Sequence, residues 1–256
     1  MGRTSLRDMD YATYLDRLAA HGDAMRAAAV AAGPAAPSPS TPEWTVADLV
    51  THIARVQSWS RACLATDPAA ERPRAAKPPG DWDDLLPWWD EVRESLQTEL
   101  RDREGLPAWT FVPGAPRTAD FWARRMAHEV AIHRLDAEHG VAGTASADAV
   151  PGLIFDPPFA ADGIDEMLAL LFPAVLEPTP PQVDGTLLVH AADAGRAWLV
   201  TLTAGKVPSV GPAESGIDAD ATVAGTADAL YRRLWGRPST ALVSGDSALL
   251  DALRAP

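Results

Sequence analysis

The chain has one cysteine, Cys63, in 256 residues. That excludes an internal disulfide, a cysteine-rich zinc knuckle and a CxxC redox pair. Lysine is nearly as scarce: Lys77 and Lys206 are the two lysines among 22 basic residues. So complete a replacement by arginine, together with abundant alanine, is the codon signature of a GC-rich genome and says little about chemistry. Long apolar runs are missing too. The longest, Met167 to Leu176, is about half of what a bilayer span needs and contains Pro173. The N-terminus shows no basic segment followed by an apolar one, which argues against an export signal. Acidic residues exceed basic ones, 35 to 22, giving a net charge of −13 and a pI near 4.8. A surface this negative repels phosphate backbones and anionic headgroups, so neither nucleic acid nor a membrane is an expected partner. With 47% hydrophobic and 22% charged residues, the expectation is a soluble, cytoplasmic globular protein.

What is present divides into a helical part and a mixed part. Residues 10–32 lack proline and place Tyr14, Leu18, Met25 and Ala29 at helical spacing, with Gly33 as the stop. A second helix starts near Thr45, where Thr45 caps and Asp48 suits the positive first turn. Its stripe is Val46, Leu49, Val50, Ile53 and Val56. A third runs from about Asp83 to Arg103 on Leu85, Trp89, Val92, Leu96 and Leu100. A fourth runs from near Thr118 to about Glu138, with Gly140 as its stop. Four helices with one apolar stripe each predict a four-helix bundle, although the long connections leave up-down order open.

After Gly140 a short helix is expected over 162–172, behind the turn at Asp156-Pro157-Pro158. Strand-like runs follow at 185–191, 197–203, 221–224 and 241–244, with Gly205-Lys206 as a hairpin turn. Helices are expected at 227–235 and 247–253. The fold class is therefore α+β in two domains, a four-helix bundle over residues 1–145 and a small α+β domain over 146–256.

The fourth helix carries the most pointed chemistry. Glu129 and His133, four residues apart, leave a helix about 40° apart in azimuth and one turn apart, so together they can hold a divalent ion. His128 and His133 look like a zinc-protease pair but stand five residues apart, about 140° round the helix, and cannot share an ion. A catalytic zinc takes three protein ligands and an open position. His52, beside the Leu49/Val56 edge of the second helix, is the candidate for the third. The alternative stays open, because Glu-x-x-x-His pairs on helices also serve as exposed ion pairs or buried hydrogen bonds. Asp136, one turn beyond His133, can orient its ring; otherwise it is an exposed acid at an unfavourable helix end. Arg125 and Arg134 suit solvent-facing ion pairs as well as substrate binding. His21 and His139 read as surface residues, His190 as a strand histidine of the core or surface. Trp44, Trp59 and Trp122 are candidates to wall a metal cleft, and Cys63 reads as a packing residue.

Three segments carry a resemblance: Pro42-Glu-Trp-Thr-Val-Ala-Asp-Leu-Val-Thr-His52, Ala127-His-Glu-Val-Ala-Ile-His-Arg-Leu-Asp-Ala-Glu138 and Ala160-Ala-Asp-Gly-Ile-Asp-Glu166. With Trp198-Leu-Val-Thr-Leu-Thr203, Leu234-Trp-Gly-Arg237 and Ser244-Gly-Asp246, the chain resembles the mycothiol-dependent maleylpyruvate isomerase family over nearly its whole length. The resemblance implies an actinobacterial protein with a DinB-like metal-binding bundle and a sterol-carrier-like C-terminal domain. It implies zinc, or another divalent metal such as nickel, held by His52, Glu129 and His133, with mycothiol as the thiol cofactor. A free thiol, with a pKa of about 8.5, is only slightly ionised at neutral pH, and a metal deprotonates it outright. The implied chemistry is isomerisation or S-transfer on a small electrophile such as maleylpyruvate. Arg237, after Trp235-Gly236, is then the expected cation for an anionic substrate, facing an interdomain cleft. A monomer or homodimer is expected. Two other readings keep parts of this: a metal hydrolase using zinc-bound water, or a non-enzymatic protein that binds a small molecule in its second domain.

Overall fold

The computed structural model describes residues 9–214 and 216–253. The chain divides into two compact units, Met1–Ala145 and Ser146–Pro256. In the first, α1 (Tyr11–Ala32), α2 (Val46–Leu64), α3 (Trp82–Arg101) and α4 (Ala119–Ala142) form the bundle. Asp10 caps α1 by accepting from the Thr13 amide, and Gly33, at φ +82°, ends it. Thr45 and Asp48 form a reciprocal capping box at the start of α2: each side chain accepts from the other's backbone N–H. The stripes of α1 and α3 are buried as their spacing predicts. On α2, Val56 is half-buried and the other four stripe residues are buried.

α1 lies chiefly along α4, and α2 packs against α3 and α4. α1 and α2 are thus not the close neighbours that a simple up-down bundle would make them. The seam between α2 and α4 is antiparallel. Val46 meets Gly140 at one end, His52 meets Glu129 in the middle, and Ser60 donates to the Met126 sulfur at the other. Gly140 does not stop α4, which continues to Ala142 and closes at Gly143 in the left-handed conformation, φ +69°. Gly140 serves close approach instead: a Cβ there would stand 3.0 Å from Val46 Cγ2 and 3.5 Å from the Pro37 carbonyl oxygen.

The second unit is a five-stranded sheet with helices. β1 (Gly185–Ala191), β2 (Arg196–Leu202), β3 (Ser209–Pro212), β4 (Ala221–Gly225) and β5 (Leu242–Gly245) lie in the order β3-β2-β1-β4-β5. β1 and β4 are parallel, with Val189 opposite Val223; the other pairs are antiparallel. Gly205 lies at φ +73° in the β2–β3 connection, where the turn was expected. β3 was not expected: four residues including Gly211 and Pro212 carry little strand signal, and β3 survives as an edge. α5 (Pro157–Glu166) starts earlier than its spacing suggests. Pro157 and Pro158 occupy its first turn, where no N–H is needed, and Asp156 caps the Phe159 amide. A π-helical turn (Met167–Leu171) and α6 (Phe172–Leu176) extend it. α7 (Ala227–Leu234) and α8 (Ser247–Asp251) complete the unit. Among the described residues no helix is long and apolar enough to cross a membrane.

Gly245, at φ +91°, ends β5 against the Asp220 carbonyl, which also accepts from the Asp246 amide at 3.0 Å. A Cβ there would overlap that carbonyl. Gly245→Ala is expected to destabilise the protein by about 2 kcal/mol or more. Gly205→Ala, whose Cβ meets little, should cost only the backbone strain. Calorimetric melting of both variants checks this; equal losses would contradict it.

Candidate metal centre

His52 Nε2 stands 3.2 Å and His133 Nε2 3.5 Å from the same oxygen, Oε1 of Glu129. One ligand atom from each of the three residues lies within 4.8 Å of the other two. Zinc–nitrogen and zinc–oxygen bonds of about 2.1 Å put tetrahedral ligands about 3.4 Å apart. The two measured edges bracket that value, so the donor set fits a divalent cation in both chemistry and spacing. His133 is buried, while His52 and Glu129 are half-buried, so the site opens on one side.

Each candidate ligand on α4 is held from behind. Asp136, fully buried, accepts from His133 Nδ1 at 2.9 Å, which leaves Nε2 directed at Glu129. The exposed-acid reading of Asp136 is thereby excluded. Arg125 is also buried, not solvent-facing: its Nη2 donates to Glu129 Oε2 at 3.3 Å, leaving Oε1 to the histidines. Its position four residues before Glu129 was the available signal. Burial opposes ionisation of Glu129, but the bonds from His133 and His52 and the charges of His133 and Arg125 outweigh it, and the carboxyl sits well below its ordinary range. Burial likewise disfavours a charged His133, yet the bonds to Asp136 and Glu129 raise its pKa to about 9. An arriving cation replaces that proton.

The Trp44 ring lies 5.0 Å from His52 and 6.4 Å from His133, centre to centre, and so walls the ligands. Trp59 and Trp122 belong elsewhere, in an aromatic cluster with Trp109, Phe111 and Phe121. His21 and His139 are buried, contrary to the surface reading. Burial, with Arg134 and Arg17, depresses His21 to about 4, and His139 Nδ1 bonds the Ser40 hydroxyl. His139 was misread because the loop before α2 covers it, and His21 because its own helix, α1, packs along α4. Arg134 pairs with Glu138 at 3.1 Å. His190 is half-buried on β1. Burial of Cys63 pushes its thiol up to about 12, as befits a packing residue. Arg237 lies in the second unit, half-buried, its Nη1 donating to the Trp235 carbonyl at 2.6 Å.

The model of the mycothiol maleylpyruvate isomerase N-terminal domain matches residues 15–138, and that of the MDMPI C-terminal domain matches residues 158–252. The chain belongs to the mycothiol-dependent maleylpyruvate isomerase family. Two solved structures resemble this member of the family. One is a mycothiol-dependent maleylpyruvate isomerase, 14% identical, covering 95% of this chain and 97% of its own, with a TM-score of 0.59. The other is an H52A mutant of a mycothiol-dependent maleylpyruvate isomerase, 15% identical over the same shares, with a TM-score of 0.60. At such identity the likeness is one of fold. Among curated proteins none matches.

Asp136→Ala is expected to weaken zinc affinity about 10- to 100-fold, because His133 loses the partner that fixes its tautomer. Competition with a chromophoric chelator measures this, and an unchanged affinity would contradict it.

Proposed function

We propose that this family member is a cytoplasmic, zinc-dependent enzyme that uses mycothiol as its reactive thiol, acting as an isomerase or S-transferase on a small electrophile such as maleylpyruvate. The observation that carries the reading is the trio His52, Glu129 and His133, with both imidazoles within 3.5 Å of one Glu129 oxygen and all three donors within 4.8 Å, on the scaffold of this family. A zinc or nickel ion there supplies the positive charge that ionises a thiol at neutral pH.

The chain's own residues set the conditions. Asp136 and Arg125 lock the two ligands of α4 before any cation arrives, so little ordering remains to be done on binding. Trp44 gives the ligands a flat apolar wall that excludes water on that side. Cys63 is buried and stays protonated, so the reacting sulfur comes from outside the chain. Addition of that sulfur to an activated cis double bond permits rotation. Its departure gives the trans isomer, whereas release of the adduct is a transfer. Arg237 is the cation assigned to the substrate carboxylate.

His52→Ala, and separately His133→Ala, should lose bound metal on elemental analysis and lose thiol-dependent turnover, with helical circular dichroism retained. Full metal occupancy in either variant would overturn the ligand assignment. Turnover without mycothiol or a surrogate would favour a metal hydrolase. Arg237→Ala should keep its metal but lose about 10- to 100-fold in kcat/KM, the range for a hydrogen bond to a charged group. Unchanged kinetics would remove Arg237 from the site.

A further inference from the structure

The two candidate ligands on α4 each have a polar partner behind them, and the one on α2 does not. Asp136 holds the His133 ring through Nδ1, and Arg125 holds Glu129 through Oε2. The His52 ring makes one hydrogen bond among the described residues, between Nε2 and Glu129 Oε1. Nε2 is the atom proposed for the cation, so that bond is given up when a cation is held there. Nδ1, on the far side of the ring, has no hydrogen-bond partner among the described residues. A liganding imidazole ordinarily has one, which fixes its tautomer and its orientation.

An aromatic ring stands beside His52 instead. The Trp44 indole lies 5.0 Å from the His52 imidazole, centre to centre, tilted by 42°. It also reaches the His133 ring, 6.4 Å away and within 27° of parallel, and the two imidazoles meet edge-on at 4.9 Å. Each separation falls in the range over which aromatic rings attract one another, about 4.5–7 Å. Trp44 immediately precedes the cap residue of α2, and its backbone is held on both sides. Its N–H donates to the Thr41 carbonyl at 2.8 Å, and its carbonyl accepts from the Ser38 amide at 2.9 Å. The indole is thus anchored independently of His52. Its own N–H makes no hydrogen bond among the described residues, so the ring is what it brings to the site.

We propose that Trp44 is the positioning residue for His52: ring packing, in place of a hydrogen bond, holds the imidazole with Nε2 toward Glu129 and so sets how tightly the trio holds a divalent cation. This role rests on the proposed metal site and adds to it a residue that donates nothing to the ion. Asp136, Arg125 and Trp44 then serve one ligand each.

Competition between the full-length, zinc-loaded protein and a chromophoric chelator tests the proposal. An aromatic pair shifts an equilibrium by about 2- to 10-fold, and Trp44 makes two with the ligands, so Trp44→Leu and Trp44→Gln should each bind zinc about tenfold more weakly. Trp44→Phe, which keeps a ring and removes the N–H, should stay within about threefold of the parent. Trp59→Leu, which removes an indole further along α2, should leave zinc affinity unchanged. A second measurement reads the rings in the zinc-free protein, at one pH, by carbon-13 relaxation at histidine Cε1. In Trp44→Leu the His52 ring should move with larger amplitude and the His133 ring, held by Asp136, should not; loss of bundle stability alone would not single out one histidine. Unchanged zinc affinity in both Trp44→Leu and Trp44→Gln overturns the proposal. So does a loss in Trp44→Phe equal to that in Trp44→Leu, or a His52 ring no freer without the indole. Collapse of helical circular dichroism in both Trp44→Leu and Trp44→Gln overturns it too, since Trp44 would then be a folding residue. If His52→Ala keeps its metal, the metal assignment falls; if His52→Ala loses it and Trp44→Leu does not, the positioning role falls alone.

Discussion

The antiparallel seam between α2 and α4 is the constraint on which the candidate metal centre depends. One candidate ligand comes from α2 and two from α4, so their spacing is a property of how the helices meet. A slip of one residue along either axis, about 1.5 Å, would move His52 out of the 3.2 Å relation with Glu129. Gly140 fixes one end of the seam by letting Val46 and the Pro37 carbonyl approach α4 closely, and the Ser60–Met126 contact fixes the other. The capping box of Thr45 and Asp48 starts α2 at a defined residue, six positions before His52.

The centre also gathers charge where burial penalises it. Glu129, Asp136, Arg125 and His133 lie together on α4, and each ionised group has a partner of opposite sign within 3.5 Å. Such clusters persist when every member is paired, and they become costly when one partner is removed. Dividing the two oxygens of Glu129, one to Arg125 and one to the histidines, leaves one oxygen for a cation. The positive charge of Arg125 offsets that of the carboxylate, so a cation there would keep more of its own charge for a thiol.

Much of this was legible in the sequence and some was not, for physical reasons. Helical spacing placed Glu129 and His133 on one face, and the place of His52 beside the apolar stripe of the second helix made it the third candidate, which the resemblance also implied; the structure brings the three together. The two-domain α+β architecture followed from the change of texture after the fourth helix. The misreadings share a cause, in that single-helix azimuth does not show what covers the other side. Arg125 and His139 read as outward-facing residues because α4 was treated as having one buried stripe, whereas it is enclosed on nearly every side; His21 read so because the packing of its own helix, α1, along α4 is not visible in the α1 spacing. Gly140 read as a stop because a glycine's need for close approach depends on a neighbour, Val46, almost a hundred positions away. β3 went unseen because an edge strand carrying glycine and proline is defined by its pairing with β2 and not by its own composition.

The state of Cys63 has a further consequence. A chain whose single sulfhydryl is buried and kept protonated has almost no sulfur nucleophile of its own to be spent on electrophiles or peroxides. Oxidative or alkylating stress on thiols would therefore reach the proposed chemistry by draining the diffusible thiol pool, with Cys63 itself spared.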